Sequence, residues 1–255
     1  MNDRSHTGEE ELRCRVQELE HRVTELTEAL DASNRELQTF SYSVSHDLRA
    51  PLTIIDGFAR ALMEDCVEQL DAQGQDYLKR IRIASQRMGN LINGLLNLSR
   101  IAREPLCSGT ANLSEMVRTI EMELRYLHPE RSVLFTIEDG VTAQGDRRML
   151  RTVMDNLLRN AWKFTVARDP AHISFGVCVQ EGKTAYFVKD DGAGFDMAFA
   201  DRLFIPFQRM HQGSEFEGVG IGLATAHRII QRHGGRIWAE AAPDAGATFY
   251  FTLTG

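Results

Sequence analysis

Long apolar runs are missing from this 255-residue sequence. The longest is a few residues, far below the roughly 20 that a bilayer-spanning helix needs. No membrane insertion is expected. The opening stretch, Met1 to Arg13, is polar and acidic and lacks the apolar core of a signal peptide. Cysteine is scarce: Cys14, Cys66, Cys107 and Cys178 are widely scattered, with no spacing that suggests zinc. Reduced thiols in a cytoplasmic protein are the default for such a pattern. Basic charge is also short. Lys and Arg number 29 against 36 Asp and Glu, so the formal net charge is 29 − 36 = −7. That balance argues against a basic face for nucleic acid, which is not an expected partner. What remains is 43% hydrophobic and 25% charged, an ordinary composition for one or two globular domains.

Glycine and proline are absent between Glu9 and Ala50, and a heptad pattern fills the gap. Leu12, Val16, Leu19, Val23, Leu26, Leu30, Ser33, Leu37, Phe40 and Val44 alternate steps of 4 and 3. Only Ser33 is polar along this seam. The pattern predicts a parallel coiled-coil homodimer, with Arg15 of one chain facing Glu20 of the other. The plainer alternative is one amphipathic helix packed on its own domain. Helical spacing continues past Pro51 through Leu52, Ile55, Ala59, Leu62 and Met63. Loop signals follow at Asp71 and Gly74. A second helix then carries Leu78, Ile81, Ser85, Met88, Ile92, Leu95 and Ser99 inward, and ends at Arg103-Glu104-Pro105. A two-helix hairpin has too little core alone, so a four-helix bundle of two chains is expected.

From about residue 109 the pattern mixes helix and strand, an α+β layer domain. Helices are expected at Leu113–Leu127, Arg148–Phe164 and Ile221–His233. Strands are expected at Val133–Ile137, Ile173–Val179, Thr184–Lys189, Arg236–Ala241 and Ala247–Leu253. The organisation read from the chain is therefore a coiled-coil helix (1–40), a helical hairpin (41–104) and an α/β-sandwich domain (109–255).

Two glycine clusters lie at element ends. Gly192 and Gly194 follow a strand in Asp190-Asp191-Gly192-Ala193-Gly194. Gly218, Gly220 and Gly222 precede a helix. Such glycines let backbone N–H groups approach phosphate oxygens at a helix N-terminus. Neither cluster has the spacing of the dinucleotide fold, and no P-loop is present. Between them in function stands Asn156, Asn160 and Lys163, at i, i+4 and i+7 on one helix face. Amide oxygens suit Mg2+, and a lysine suits phosphate.

With these motifs in order, the chain resembles the bacterial two-component sensor histidine kinases, in particular the soluble phytochrome-like group. Ser45-His46-Asp47-Leu48-Arg49-Ala50-Pro51-Leu52 is similar to the phosphoacceptor box of the dimerisation hairpin. The asparagine helix, the two glycine clusters and Leu203-Phe204-Ile205-Pro206-Phe207 are similar to the boxes of a GHKL-type ATP-binding domain. The resemblance implies an ATP-dependent kinase that phosphorylates His46 and passes the group to an aspartate of a response-regulator receiver domain. It implies that Asp47 handles the imidazole proton, that Asn160 ligates Mg2+ with Asn156 nearby, and that Lys163 touches phosphate. It further implies Phe164 and Asp190 at the adenine, close backbone access at Gly192 and Gly194, and a lid from about Phe207 to Gly220 with Arg209 on phosphate. Asp191 stands where the family commonly has asparagine and adds a negative charge near the nucleotide.

Neutral imidazole is nucleophilic at cytoplasmic pH, and the heptad register puts His46 on an exposed flank. His21 and His172 read as ordinary solvated residues. A GHKL ATPase of the gyrase kind is disfavoured, because Asn156 occupies the place of its water-activating glutamate. A catalytically inactive dimeric signalling scaffold is the other alternative. Input is expected through the coiled coil, from a separate sensor protein or a domain outside this sequence. The family's phosphatase reaction uses a Thr or Asn one turn after the histidine. That position is Ala50 here, which predicts a weak phosphatase.

Overall fold

The structure is a computed structural model that describes residues 3–102, 104–208 and 220–254. The side chains of residues 3–12, 14, 30–31, 33–42 and 46 lie outside the described set. The chain packs as two units, Met1–Pro51 and Leu52–Gly255. The boundary falls inside the first helix, α1 (Asp3–Asp65), which carries Pro51 internally as the helical spacing predicted.

In the first unit, the described seam residues Val16, Leu19, Val23 and Leu26 are exposed within one chain. In the second unit, the end of α1 is followed by a 3-10 turn (Val67–Gln69) and α2 (Ala72–Ile101). Asp71 caps α2 by accepting a hydrogen bond from Gly74 N at 2.7 Å. Gly74 therefore belongs to the first turn of the helix, not to the loop. Leu52, Ala59, Leu78, Ser85 and Ile92 are buried, whereas Ile55, Leu62, Ile81 and Met88 are exposed. Several of the hairpin's apolar positions thus remain uncovered within one chain.

The rest of the second unit is a sandwich of helices on a sheet. It contains β1 (Ser108–Asn112), α3 (Leu113–Leu127), β2 (Val133–Ile137), β3 (Thr142–Asp146), α4 (Arg147–Phe164), β4 (Ala171–Gln180), β5 (Lys183–Asp190), α5 (Gly222–Arg232), β6 (Ile237–Ala241) and β7 (Ala247–Phe251). A 3-10 turn, Met197–Arg202, follows β5. The main sheet has the order β2-β4-β5-β7-β6, with β2 and β4 parallel and the other pairs antiparallel. Ala247, Phe249 and Phe251 are buried while Thr248 and Tyr250 between them are not, the period of two of a half-covered sheet. Their partners in the core include Val117 and Ile120 of α3, Leu150, Val153 and Leu157 of α4, and Ile229 and Ile230 of α5. Each fully buried side chain of this size contributes about 1.5–3 kcal/mol.

The two-stranded sheet β1-β3 has no counterpart in the sequence expectation. Neither Ser-Gly-Thr-Ala-Asn nor Thr-Ala-Gln-Gly-Asp shows strand propensity, and the pairing is set by tertiary contacts. Gly145 lies under the His233 ring, where a Cβ would come within 2.8 Å of it. His233 is buried. It donates from Nδ1 to Ile229 O at 2.8 Å and accepts from Asp146 N at Nε2, 2.9 Å. The ring therefore ties the end of α5 to the start of α4.

Candidate nucleotide site

Asp146 opens α4. Its carboxylate accepts from Arg148 N at 2.9 Å and Met149 N at 3.1 Å, and also from Cys107 N at 3.0 Å. Burial pushes this carboxyl up, but the three backbone donors and the Arg148 charge outweigh it and hold it below its ordinary value. From this cap the helix sends Leu150, Val153, Leu157 and Leu158 into the core. Asn156, Asn160 and Lys163 fall on the remaining, half-buried face. The Asn156 amide nitrogen donates to Thr152 O at 2.8 Å, which fixes the orientation of its oxygen. Lys163 Nζ lies 4.1 Å from the centroid of the Phe164 ring.

Asp190 ends β5, in the middle of the sheet, and is only 4% exposed. Burial pushes its carboxyl up to about 6; hydrogen bonds from the backbones of Gly192 and Ala247 pull it down, and the neighbouring Asp191 charge raises it. Gly192 N donates to Asp190 Oδ1 at 2.9 Å. A Cβ on Gly192 would sit 2.4 Å from Phe164 O, and one on Gly194 would sit 1.9 Å from Ala242 O. Both glycines are therefore demanded first by the protein's own backbone. Gly246 closes on Asp190 O in the same way, at 2.0 Å. The sequence shows Gly246 only as a turn residue between strands.

The third wall is the start of α5. Gly220 has φ +76 and its carbonyl accepts from Phe207 N at 2.9 Å. A Cβ on Gly222 would lie 2.6 Å from Asn156 Oδ1, so this helix start abuts the asparagine face. The N-cap, Ile221, supplies no side-chain acceptor, so the first N–H groups of α5 have no side-chain cap. In the phenylalanine box, Leu203 is buried and Phe204 stacks on His227 with centroids 5.3 Å apart.

The structure thus gathers Asn156, Phe164, Asp190, Gly192 and Gly222 through direct contacts. Arg209 and Gly218 lie outside the described residues, and so does the side chain of His46. Asp47 is exposed on α1 in the other unit. Two groups beside the site, His172 and Arg168, are not distinguished by the sequence. Asp191 points its carboxylate at His172, 2.9 Å from Nδ1, so His172, solvent-exposed as the sequence suggests, also has a specific partner. A separate cavity of about 590 Å3, between the Met197–Arg202 turn and β6, includes none of Asn156, Asn160 or Asp190.

Residues 145–254 match the family described as histidine kinase-, DNA gyrase B- and HSP90-like ATPase. Residues 36–104 match the His Kinase A phospho-acceptor domain. The chain belongs to the sensor histidine kinases. This chain is 35% identical over 236 residues to cyanobacterial phytochrome B of Nostoc, covering 91% of the chain and 31% of that relative. Sensor histidine kinase WalK of Bacillus subtilis is 30% identical over 247 residues, covering 91% of the chain and 38% of that protein. The chain spans about a third of the length of these curated relatives. Among solved structures, full-length ShkA in complex with AMPPNP has a TM-score of 0.60 at 23% identity, covering 83% of this chain and 44% of ShkA. The Acinetobacter baumannii histidine kinase AdeS has a TM-score of 0.57 at 19% identity, covering 82% of this chain and 97% of AdeS. These two show a shared fold: a helical hairpin followed by an α/β ATPase sandwich.

Among the described residues, no group of three or more His, Cys, Asp or Glu could hold a metal ion. A Mg2+ ion held by one amide oxygen and by nucleotide phosphates fits the donor set, because Mg2+ ordinarily keeps few protein ligands.

Proposed function

We propose that this chain is an ATP-dependent protein-histidine kinase that phosphorylates His46 and passes the phosphoryl group to an aspartate of a response-regulator receiver domain. The observation that carries the reading is the convergence of three elements. The end of β5 with Asp190, the asparagine face of α4 and the start of α5 meet through Gly192 against Phe164 and Gly222 against Asn156.

In this reading Asp190 accepts the adenine amino group and Phe164 lies against the base. Lys163 and the first N–H groups of α5 face the phosphates, joined by Arg209, Gly218 and Gly220. Asn160 would hold Mg2+, which when bound would supply positive charge to the phosphates. An imidazole nitrogen of His46 attacks the γ-phosphorus, the bond to the ADP oxygen breaks, and ADP leaves. Asp47 takes the ring proton. The receiver carboxylate then attacks the same phosphorus, Asp47 returns the proton to the ring, and His46 leaves as neutral imidazole.

The gyrase-like alternative needs a base at residue 156. Asn156 has no basic group, and its amide is engaged with Thr152. The uncovered Ile55, Leu62, Ile81 and Met88 support a homodimer through the hairpin. The exposed seam of α1 supports a second, coiled-coil contact through which a sensor acts. Among the described residues no helix is long and apolar enough to cross a membrane. The cytoplasm is the compartment we assign, because both ATP and a receiver domain must be reached.

The test is His46→Gln. Incubation with γ-labelled ATP should give no acid-labile, base-stable label on the variant, while ATP binding and dimerisation stay as in the parent. Stable label on the variant would overturn the acceptor assignment.

A further inference from the structure

Asp190 and Asp191 are adjacent carboxylates with opposite surroundings. Asp190 is buried at the strand end, whereas the Asp191 side chain is 38% exposed. Successive strand residues face opposite ways, and here the second one is captured. Asp191 Oδ1 accepts from the backbone N of His172 at 2.9 Å, and Oδ2 lies 2.9 Å from His172 Nδ1. An ionised carboxylate only accepts, so Nδ1 carries the hydrogen. Asp191 N returns a bond to His172 O at 3.3 Å. The last ladder pair of β4 and β5 is Ile173 with Asp190. The His172–Asp191 contacts therefore extend that ladder by one residue, through one backbone bond and the two contacts of the Asp191 carboxylate.

A second strap crosses the other side. Arg168 Nε donates to Asp191 O at 2.8 Å, and its Nη2 donates to Asp244 O at 2.6 Å. Asp244 N in turn donates to Ala193 O at 2.7 Å. The segment from Asp190 to Gly194 is thus held between the start of β4 and the β6–β7 turn.

We propose that His172 and Arg168 are positioning residues for nucleotide recognition, holding Asp191 away from Asp190 so that the Asp190–Gly194 segment keeps the shape the adenine requires. This rests on the reading of Asp190 as the adenine acceptor. Without the straps, two things change. The glycine segment gains freedom that binding must remove, which weakens affinity. The Asp191 charge also loses its donors, and a carboxylate left beside Asp190 favours a neutral Asp190, a poorer acceptor. Neither effect touches the reacting phosphorus.

The experiment uses the full chain with His172→Leu, His172→Asn, Arg168→Ala and Asp190→Asn. Three quantities are measured: the Kd for MgATP, the autophosphorylation rate at saturating ATP, and the Tm without nucleotide. The pair is half exposed, so water discounts the loss. His172→Leu and Arg168→Ala should each raise Kd about three- to fivefold, with the saturated rate kept. His172→Asn, whose amide N–H reaches the same oxygen, should restore most of the affinity. An unchanged Kd in His172→Leu overturns the proposal, as does a His172→Asn variant no better than His172→Leu. A lowered saturated rate and Tm with unchanged Kd would show a structural role instead, and also overturns it. Asp190→Asn separates the two layers. If it weakens binding and the strap variants do not, only this inference falls; if it leaves Kd unchanged, the adenine reading falls and takes the inference with it.

Discussion

At the scale of single residues, the chemistry of the site is concentrated in one buried carboxyl. Asp190 accepts a bond from Gly192 N and still stands at about 6, because burial outweighs its donors. Asp190→Asn should weaken ATP binding by about 1.5–3 kcal/mol, the worth of a hydrogen bond to a charged group. Equilibrium binding should show more than a tenfold rise in Kd. The same carboxyl predicts a pH signature. Its folded value lies above the unfolded one, so the folded state holds the extra proton between about pH 4 and 6 and stability falls as pH rises through that window. Without nucleotide, Asp190→Asn should therefore melt higher than the parent at pH 7.5, and the gap should shrink toward pH 5. A gap independent of pH would show that Asp190 is not the group responsible. Ala50 carries a different prediction. It is exposed on α1 and has no group to orient water. The His46→Gln protein should barely accelerate the decay of phospho-regulator without ADP, and adding Ala50→Thr should raise that rate. Clear acceleration by the His46→Gln protein alone would reveal an unrecognised water-positioning group.

At the scale of elements, close approach sets the sequence at the glycines and packing sets it elsewhere. Gly194 combines φ +58 with a backbone oxygen 1.9 Å from where a Cβ would sit. Gly194→Ala pays the left-handed penalty of about 1–2 kcal/mol and must also displace Ala242 O. A loss of at least about 2 kcal/mol and a fall in Tm on the order of 5 °C are expected by calorimetry. The helices behave differently. Leu19 and Leu26 are 57% and 64% exposed within one chain, so a single chain has nothing to lose from charge there. Leu19→Asp with Leu26→Asp should weaken association through α1 while leaving the hairpin bundle dimeric. Sedimentation should still find a dimer, and autophosphorylation should change in level without vanishing. A fully monomeric double variant would place the whole dimer contact in the coiled coil.

At the scale of the molecule, two sets of rules operate in one chain. The first unit is a helix whose described seam residues, Val16, Leu19, Val23, Leu26 and Val44, are exposed within one chain. The second unit closes its own core. It also carries the hairpin against the sandwich: a Cβ on Gly94 of α2 would meet Ile221 Cδ1 at 2.1 Å, and Arg148 pairs with Glu104 at 2.9 Å. Ile221, just before α5, therefore packs close to the helical hairpin, while Gly222, the next residue, abuts the asparagine face.

What the sequence determined by itself was periodic or local. Heptads marked α1, the spacing of Leu150, Val153 and Leu157 marked α4, and alternation marked β4 and β5. The order of the motifs marked the family. Such signals survive in one dimension because helix and strand periods are properties of the backbone. Only the tertiary structure decided the rest. It paired β1 with β3, whose residues show no strand preference, and placed Gly145 under His233. It brought Gly222 to Asn156 across 66 residues, and it turned His172 from an ordinary surface histidine into the partner of Asp191. Those contacts join residues far apart in the chain, and no local period records a neighbour that only folding supplies.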